Sequence, residues 1–250
     1  MAAVEPVPGA PAAVVTTAGE RLLVVADYHA GIEAVLRSEG VELDSGAPRR
    51  RERLLGLVAE TGADRLVVLG DLTHAVGDPW GAEREELAAL FDALGAPTLL
   101  VKGNHDGEIE PVIEDLAVDV TVAPAAGTRV GAVGFAHGHT WPSPEVLAAE
   151  TVCTAHEHPV VRLEDEVGGG RRERVWLRGR LAPAPFREHH GEGTEVGEEL
   201  VVFPAFNDTS GGTWVNVAGQ DFLSPFLPEG LADGQAYLLD GTRLGRYDRV

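Results

Sequence analysis

Three stretches of the chain run apolar without alternation and then stop at an acid or an amide. RLLVVAD (21–27) ends at Asp27, DRLVVLGD (64–71) at Asp71, and PTLLVKGNHD (97–106) at Asn104, His105 and Asp106. Unbroken Leu/Val runs of this length predict strands covered on both faces. Segments with helical spacing lie between them. GIEAVLRSEG (31–40) carries Ile32, Val35 and Leu36 on one face, and PRRRERLLGLVAETG (48–62) carries Leu54, Leu57 and Val58. GAEREELAALFDALGA (81–96) carries Leu87, Leu90, Phe91 and Leu94. The first half therefore reads β-α-β-α-β, with helices long enough for parallel crossovers.

The second half reads mainly as strands. LAVDVTVA and TRVGAVGFAHGH are expected as neighbours, followed by a short helix at 143–149 and the strand TVCTAHEHP. VVRLEDEVGGGRRERVWLRG has the pattern of a hairpin around a glycine turn, and EELVVFPAFN and GQAYLLDGTRLGRYDRV add further strands. Residues 1–20 read as an arm or an edge strand through AAVVTT. Residues 21–250 are expected to form a single α/β domain, two sheets packed together with helices outside.

Composition changes this picture in one respect. The formal net charge is −20, and of the 20 basic residues only Lys102 is a lysine. Either concentrated salt or a GC-rich genome would favour such a surface, and composition does not separate the two. At low salt the surface should repel nucleic acid and anionic membranes. The N-terminus has no basic segment and is broken by prolines, and no apolar run approaches the ~20 residues of a membrane span. A cytoplasmic protein without a membrane partner is the expectation. The lone Cys153 excludes an intrachain disulfide and reads as a small buried hydrophobe.

Ligands of open α/β sheets sit beyond the carboxyl ends of the strands, and the polar residues gather there. DYH (Asp27, His29), GD (Asp71) and GNHD (Asn104, His105, Asp106) end the three early strands. HGH (His137, His139) and HEH (His156, His158) come later. Asp27, Asp71, Asn104 and His137 are separated by 44, 33 and 33 residues. Each gap is long enough to return the chain to the same sheet edge. Carboxylates, an amide oxygen and imidazoles, with no thiolate, suit Mn, Fe, Zn or a similar divalent ion. The set exceeds what one tetrahedral ion needs and fits two ions sharing a carboxylate.

D-x-H, GD, GNHD, HG and H-x-H, in that order over residues 21–160, resemble the calcineurin-like metallophosphoesterase superfamily. The resemblance implies a four-layer αββα sandwich of two mixed sheets and a binuclear metal site. By matching positions it implies that Asp27, His29 and His158 hold one ion, that Asn104, His137 and His156 hold the other, and that Asp71 bridges. It implies Mn as the ion, with Fe, Zn or Ni as alternatives. His105 would protonate the leaving oxygen, with Asp106 orienting it. AHEHP (155–159), FPAFN (203–207) and LSPFL (223–227) are similar to a phosphoesterase subgroup related to the SbcD/Mre11 nucleases and to the ligase-associated phosphoesterases of DNA repair. Tyr28 and Ala30 replace the common leucines, and Ala155 a usual glycine, at positions that touch packing rather than ligands.

The expected activity is phosphodiester hydrolysis on DNA, other nucleic acid or nucleotides. A phosphomonoesterase, a nucleotide pyrophosphohydrolase and a non-catalytic scaffold are the rivals. His74 is placed to meet substrate or to serve a turn, and His139 to support the site or face phosphate. Asn207 and Asp208 could line the cleft or form an Asx-turn. Two basic clusters, RRRER (49–53) and RRERVWLRGR (171–180), interrupt the acidity. Arg171 and Arg172 are candidate contacts to substrate phosphates. Glu157, His189 and His190 are expected in solvent.

Overall fold

The computed structural model describes residues 3–164 and 169–250. Six strands make the first sheet: β1 (Ala3–Pro6), β2 (Ala12–Thr17), β3 (Glu20–Val25), β4 (Arg65–Leu69), β5 (Thr98–Val101) and β6 (Val120–Ala123), in that spatial order. β1, β2 and β3 are antiparallel, and β3 to β6 are parallel. The crossovers carry α1 (Ile32–Ser38), α2 (Ala47–Thr61), α3 (Ala82–Ala93) and α4 (Ile109–Leu116). AAVVTT is β2, one strand in from the edge. β1 covers it and ends in Pro6, a residue suited to an edge.

The second sheet is formed by β7 (Thr128–Val130), β8 (Val133–Phe135), β9 (Thr151–Thr154), β10 (Val160–Glu164), β11 (Gly170–Leu181), β12 (Glu199–Val202), β13 (Leu231–Leu238) and β14 (Arg243–Arg246). Its order is β14-β13-β11-β12-β9-β8-β7, with β10 pairing the early part of β11. β8, β9 and β12 are parallel to one another. The expected hairpin is present as β10 and β11, and its turn at 165–168 lies outside the described residues. α5 (Pro144–Leu147) and α6 (Pro183–His190) pack on the outer face.

Two expectations need correction. LAVDVTVA and TRVGAVGF are not partners: β6 closes the first sheet and β7 opens the second. α4 and α6 were not expected. Both have eight residues, and Pro183 at the first turn of α6 is a known start signal.

Strand alternation builds the layers. Leu22, Val24, Val67, Leu69, Leu99 and Val101 point inward and meet Phe135, Cys153, Trp176, Val201 and Phe203 of the other sheet. Leu23, Val25, Leu66, Val68 and Leu100 point outward, onto Leu54, Leu57, Leu87, Leu90 and Val112 of the helices. Val152, Val175, Leu177, Leu200 and Val202 form the third layer of contact, with Val146, Leu147 and Phe186. Both faces of both sheets are thus buried, which is why the strands read as continuous apolar runs. The architecture is the mixed α/β sandwich with helices outside that the sequence predicted.

One polar group is embedded among the outer helices. Arg50 of α2 donates to Glu33 of α1 at 2.8 and 3.1 Å and to Glu86 of α3 at 2.8 and 2.9 Å. All three side chains are buried. Glu86 also accepts the Gly31 N–H at 2.9 Å, at the turn that enters α1. The network therefore locks three helices to the loop after β3. Burial disfavours the charged forms, yet Arg50 holds the Glu33 carboxyl below its ordinary range. Arg50→Met leaves two buried carboxylates uncompensated, and breaking such a pair costs about 3–5 kcal/mol. For a chain of this size that is a fall of roughly 6–20 °C in melting midpoint, read by circular dichroism. An unchanged midpoint would mean that the carboxylates escape to water.

Candidate metal centre

The parallel strands β3, β4 and β5 all end at one edge of the first sheet, and β8 and β9 end at the facing edge of the second. The backbone joins these edges. Asp27 N–H donates to Gly70 O at 3.2 Å, His29 N–H to Asp71 O at 2.9 Å, and Ala155 N–H to His137 O at 2.7 Å. Phe206, beyond β12, donates to Ala26 O at 2.7 Å and ties the second sheet to the first. Residues 18 to 180 positions apart in sequence thus meet in one cleft.

The backbone is bent sharply there. Asp27, His29, Asp71, His156 and His158 all have positive φ, between 44° and 70°, and they are five of eight such non-glycine residues among those described. Each costs of order 1–3 kcal/mol and persists only where surrounding structure imposes it. Two glycines make room for the turns. A methyl at Gly70, itself at φ 75°, would overlap the His137 ring, and one at Gly103 would overlap the Asp71 carboxylate. Gly70 of the GD motif is therefore required by contact and by conformation, and Gly103 of GNHD by contact.

Two groups of side chains bring their ligand atoms within 4.8 Å of one another: Asp27, His29, Asp71 and His158, and Asp71, His137 and His156. Asp71 belongs to both. Asn104 Oδ1 joins the second group, 3.2 Å from His137 Nε2. His137 Nε2 lies 3.4 Å from Asp71 Oδ2, and His158 Nε2 lies 3.2 Å from Asp27 Oδ1. The other ring nitrogens are occupied. His137 Nδ1 donates to Leu69 O at 2.7 Å, and His158 Nδ1 to Gly211 O at 3.2 Å. A carbonyl only accepts, so each of these rings carries its proton on Nδ1 and turns a lone pair on Nε2 inward. Metal-binding histidines are oriented in this manner.

The electrostatics also fit a cation. Asp27 is fully buried and neither carboxylate oxygen has a hydrogen-bond partner. A buried carboxylate in that condition needs a positive neighbour. Burial alone would depress His137, but Asp71 and Asp27 outweigh it and carry the ring up to about 9, so they favour a positive charge at Nε2, either a proton or a metal ion that would displace it and take up the lone pair. Burial would raise Asp71; His137 and the neighbouring imidazoles hold it far below the ordinary range instead. Burial brings His29 down to about 3 and His156 to about 4, so both rings are neutral and free to donate electron pairs.

The remaining predicted residues are placed as follows. His105 is half-buried in the cleft. Its backbone N–H donates to Asp71 Oδ1 at 3.0 Å, its Nδ1 to the His74 carbonyl, and its Nε2 is 3.9 Å from Asp71 Oδ2. Asp106 does not touch that ring. Its buried carboxylate accepts the Gly103 N–H at 2.9 Å and the Thr73 N–H at 3.1 Å, and so clamps the GNHD turn to the loop after β4. The orienting contact on His105 is the His74 carbonyl. His74 faces the cleft: its Nδ1 is 3.2 Å from His29 Nδ1, and its ring stacks on His105 at 5.3 Å. His139 packs on His137 and His156 with a buried, unpartnered Nδ1. Arg171 pairs with Glu173 at the surface, and Arg172 donates to Ser210 O, on a cleft-lining loop.

Asn207 is buried away from substrate. Its Oδ1 accepts the Thr209 N–H at 2.8 Å in an Asx-turn, and its Nδ2 donates to the Tyr28 and His29 carbonyls at 3.0 and 3.3 Å. Both amide atoms are consumed in fixing the loop to the DYH turn. Glu157 was expected in solvent and is fully buried. It accepts from Thr213 Oγ1 at 2.9 Å and from the Leu223 and Ser224 N–H groups at 3.1 and 2.6 Å, stapling a distant loop to the HEH turn. Alternation at a strand end misled here, because positive φ on both sides of Glu157 abolishes the extended geometry. His190 donates to Pro142 O at 2.9 Å and His189 stacks on Trp141 at 4.3 Å, so neither is simply solvated. Glu83, whose carboxylate accepts the His74 and Ala75 N–H groups at 2.6 and 3.0 Å, had no sequence signal.

The cleft has a volume of about 520 Å³. A larger cavity of about 1070 Å³, lined by Pro6, Arg178 and Tyr237 among others, lies away from these groups and holds none of them.

A fold of two mixed sheets with acids, an amide and imidazoles at facing strand ends defines a metal-dependent hydrolase of phosphate esters. The chain belongs to the calcineurin-like phosphoesterase family, whose profile matches residues 20–191. Among solved structures, the nuclease MPE of Pseudomonas putida shares the fold, with a TM-score of 0.59 over 97% of this chain and 100% of its own, at 20% identity. YfcE, a phosphoesterase from E. coli, is 20% identical over 58% of this chain and 73% of its own, with a TM-score of 0.33. No curated protein matches the sequence. Among the described residues, no helix is long and apolar enough to cross a membrane.

Equilibrium dialysis against Mn, with metal counted by mass spectrometry, should find two ions per chain. Asp71→Asn should lose at least tenfold in affinity at both sites and His137→Ala chiefly at one, since ligands and their supports typically carry factors of 10–100. A single ion in the unaltered protein would dismiss the paired arrangement.

Proposed function

We propose that the chain is a binuclear metal-dependent phosphodiesterase acting on nucleic acid. The observation that carries this reading is the pair of ligand groups sharing the buried Asp71, with Asp27 fully buried beside them, free of hydrogen bonds and facing the His158 imidazole at 3.2 Å. Two divalent ions there would supply charge neutralisation for the phosphoryl oxygens and an acidified water. Mn is the ion we favour, since a set of oxygen and imidazole ligands without sulfur suits it.

The chain's own residues would do the rest. Asp27, His29 and His158 would hold one ion, Asn104, His137 and His156 the other, and Asp71 both. His105 stands at the cleft with its Nδ1–H directed at the His74 carbonyl; as the imidazolium it would carry a second proton, on Nε2, to give to the departing oxygen. His74 supports His29 from behind and stacks on His105. Asp106 and Glu157 act as positioning residues, each holding a ligand-bearing turn to another loop. The nuclease activity named for the P. putida protein of the same fold supports a diester substrate.

A panel with added Mn tests this: single- and double-stranded DNA, RNA, bis-p-nitrophenyl phosphate and p-nitrophenyl phosphate, with Asp71→Asn as control. Cleavage of nucleic acid and of the diester, lost in the control, is expected. Hydrolysis of the monoester alone would replace the reading with a phosphomonoesterase. His105→Ala should keep both ions and lose about 10²–10⁴-fold in turnover of an alkyl diester, the usual range for an acid catalyst. The loss should be far smaller on p-nitrophenyl leaving groups, which need no proton. Equal losses on both would remove His105 from that role.

A further inference from the structure

Arginines far apart in sequence meet beside the metal cleft. Arg49 and Arg53 come from α2, Arg172 and Arg174 from β11, and the loop 205–210 runs between them. Arg174 donates to the Ala205 carbonyl at 2.9 Å, and Arg172 to the Ser210 carbonyl at 3.2 Å. Arg53 lies over the Phe206 ring, 5.5 Å from its centre, and Arg49 pairs with Asp208 at 2.9 Å. The same loop forms a wall of the cleft through Ser210 and Gly211 and is pinned by Asn207 to the backbone of Tyr28 and His29.

These cations are poorly neutralised. Burial together with neighbouring arginines lowers both Arg53 and Arg174, and Asp208 is the acid that opposes the effect at both. Arg49, Arg50 and Arg53 also occupy the first two turns of α2, where the helix dipole disfavours positive charge and favours an anion. Arg50 is satisfied internally by Glu33 and Glu86, whereas Arg49 pairs with Asp208 at the surface and Arg53 donates to the neutral Gly9 carbonyl at 3.2 Å. Between them, Gly46, Phe206 and Asp208 is a cavity of about 230 Å³, room for a phosphate group. A concentration of cations at one rim of the cleft, on a chain of net charge −20, calls for a polyanionic ligand held at short range. The general repulsion of the surface is screened beyond about 8 Å at physiological salt, while direct contacts survive.

We propose that Arg49, Arg53, Arg172 and Arg174 form a binding surface for the backbone phosphates of a nucleic-acid strand flanking the scissile phosphate. The inference rests on the phosphodiesterase reading for its orientation, not for its chemistry. Arginine pairs with phosphate through two parallel hydrogen bonds, and such backbone contacts hold the strand without reading its sequence.

Binding is measured with metal chelated, by anisotropy of a fluorescein-labelled 12-nucleotide single-stranded DNA over a salt series. The triple variant Arg49→Gln, Arg53→Gln, Arg172→Gln should bind at least tenfold more weakly at low salt. Its slope of log affinity against log salt should flatten by about 2, at about 0.7 per lost contact with a single strand. Asp208→Asn removes the neutralising acid and should tighten binding severalfold, a gain that misfolding cannot mimic. An RNA of the same sequence bound comparably supports backbone recognition. Unchanged affinity and slope in both variants, or ATP bound as tightly as the 12-mer, would overturn the proposal. Hydrolysis of bis-p-nitrophenyl phosphate by the unmodified protein tests the chemistry separately. A protein that binds DNA through these arginines but hydrolyses no ester would sink the phosphodiesterase and leave the surface standing.

Discussion

The Asp71 carboxylate is the point on which the site depends. It is buried at the end of β4, the strand flanked by β3 and β5, and each oxygen has a different duty. One accepts the His105 backbone N–H and fixes the GNHD turn; the other faces His29, His105 and His137. A carboxylate out of water is tolerated only amid positive charge and donors. With Asp27 buried close by, two negative charges converge where the two sheets meet. The surrounding imidazoles offset part of that charge, and bound metal cations would offset the rest.

Holding such a group in place takes more than the ligand-bearing strands. The turns are forced through positive φ at five ligand positions, and each is braced from outside. Asp106 ties the loop after β5 to the loop after β4 through Thr73. Glu157 ties the HEH turn to residues 213–224, and Asn207 ties the loop after β12 to the DYH turn. Behind them the Arg50 network joins α1, α2 and α3 to Gly31. The buried polar groups around the site are therefore staples between loops, satisfied by backbone donors and acceptors. The strain at the ligands is sustained because the neighbouring layers are apolar and densely packed.

The same loops link the chemistry to its surroundings. Residues 205–210 leave the second sheet, bond to the first, wall the cleft and run on between four arginines. Substrate at the metals and substrate on the arginines would contact the same short segment.

The sequence by itself determined most of the strands, the helices α1, α2 and α3, and the ligand candidates. Buried parallel strands must be continuously apolar, and Asp27, Asp71 and Asn104 stand out because polar groups end such runs. Short helices such as Ile109–Leu116 and the division of β6 from β7 between sheets were not legible, since neither local propensity nor periodicity says which sheet a strand joins. Nor was the burial of Glu157, Asn207 and Arg50. A charged or amide side chain near a turn looks solvated until the element that supplies its partner is known, and here each partner lies 17 to 179 residues away. The meeting of the two arginine clusters was decided in the same manner, by packing α2 and β11 against one loop. Local sequence records which groups are chemically able; only the tertiary fold decides which of them share a space, because that depends on contacts between segments that carry no mark of one another.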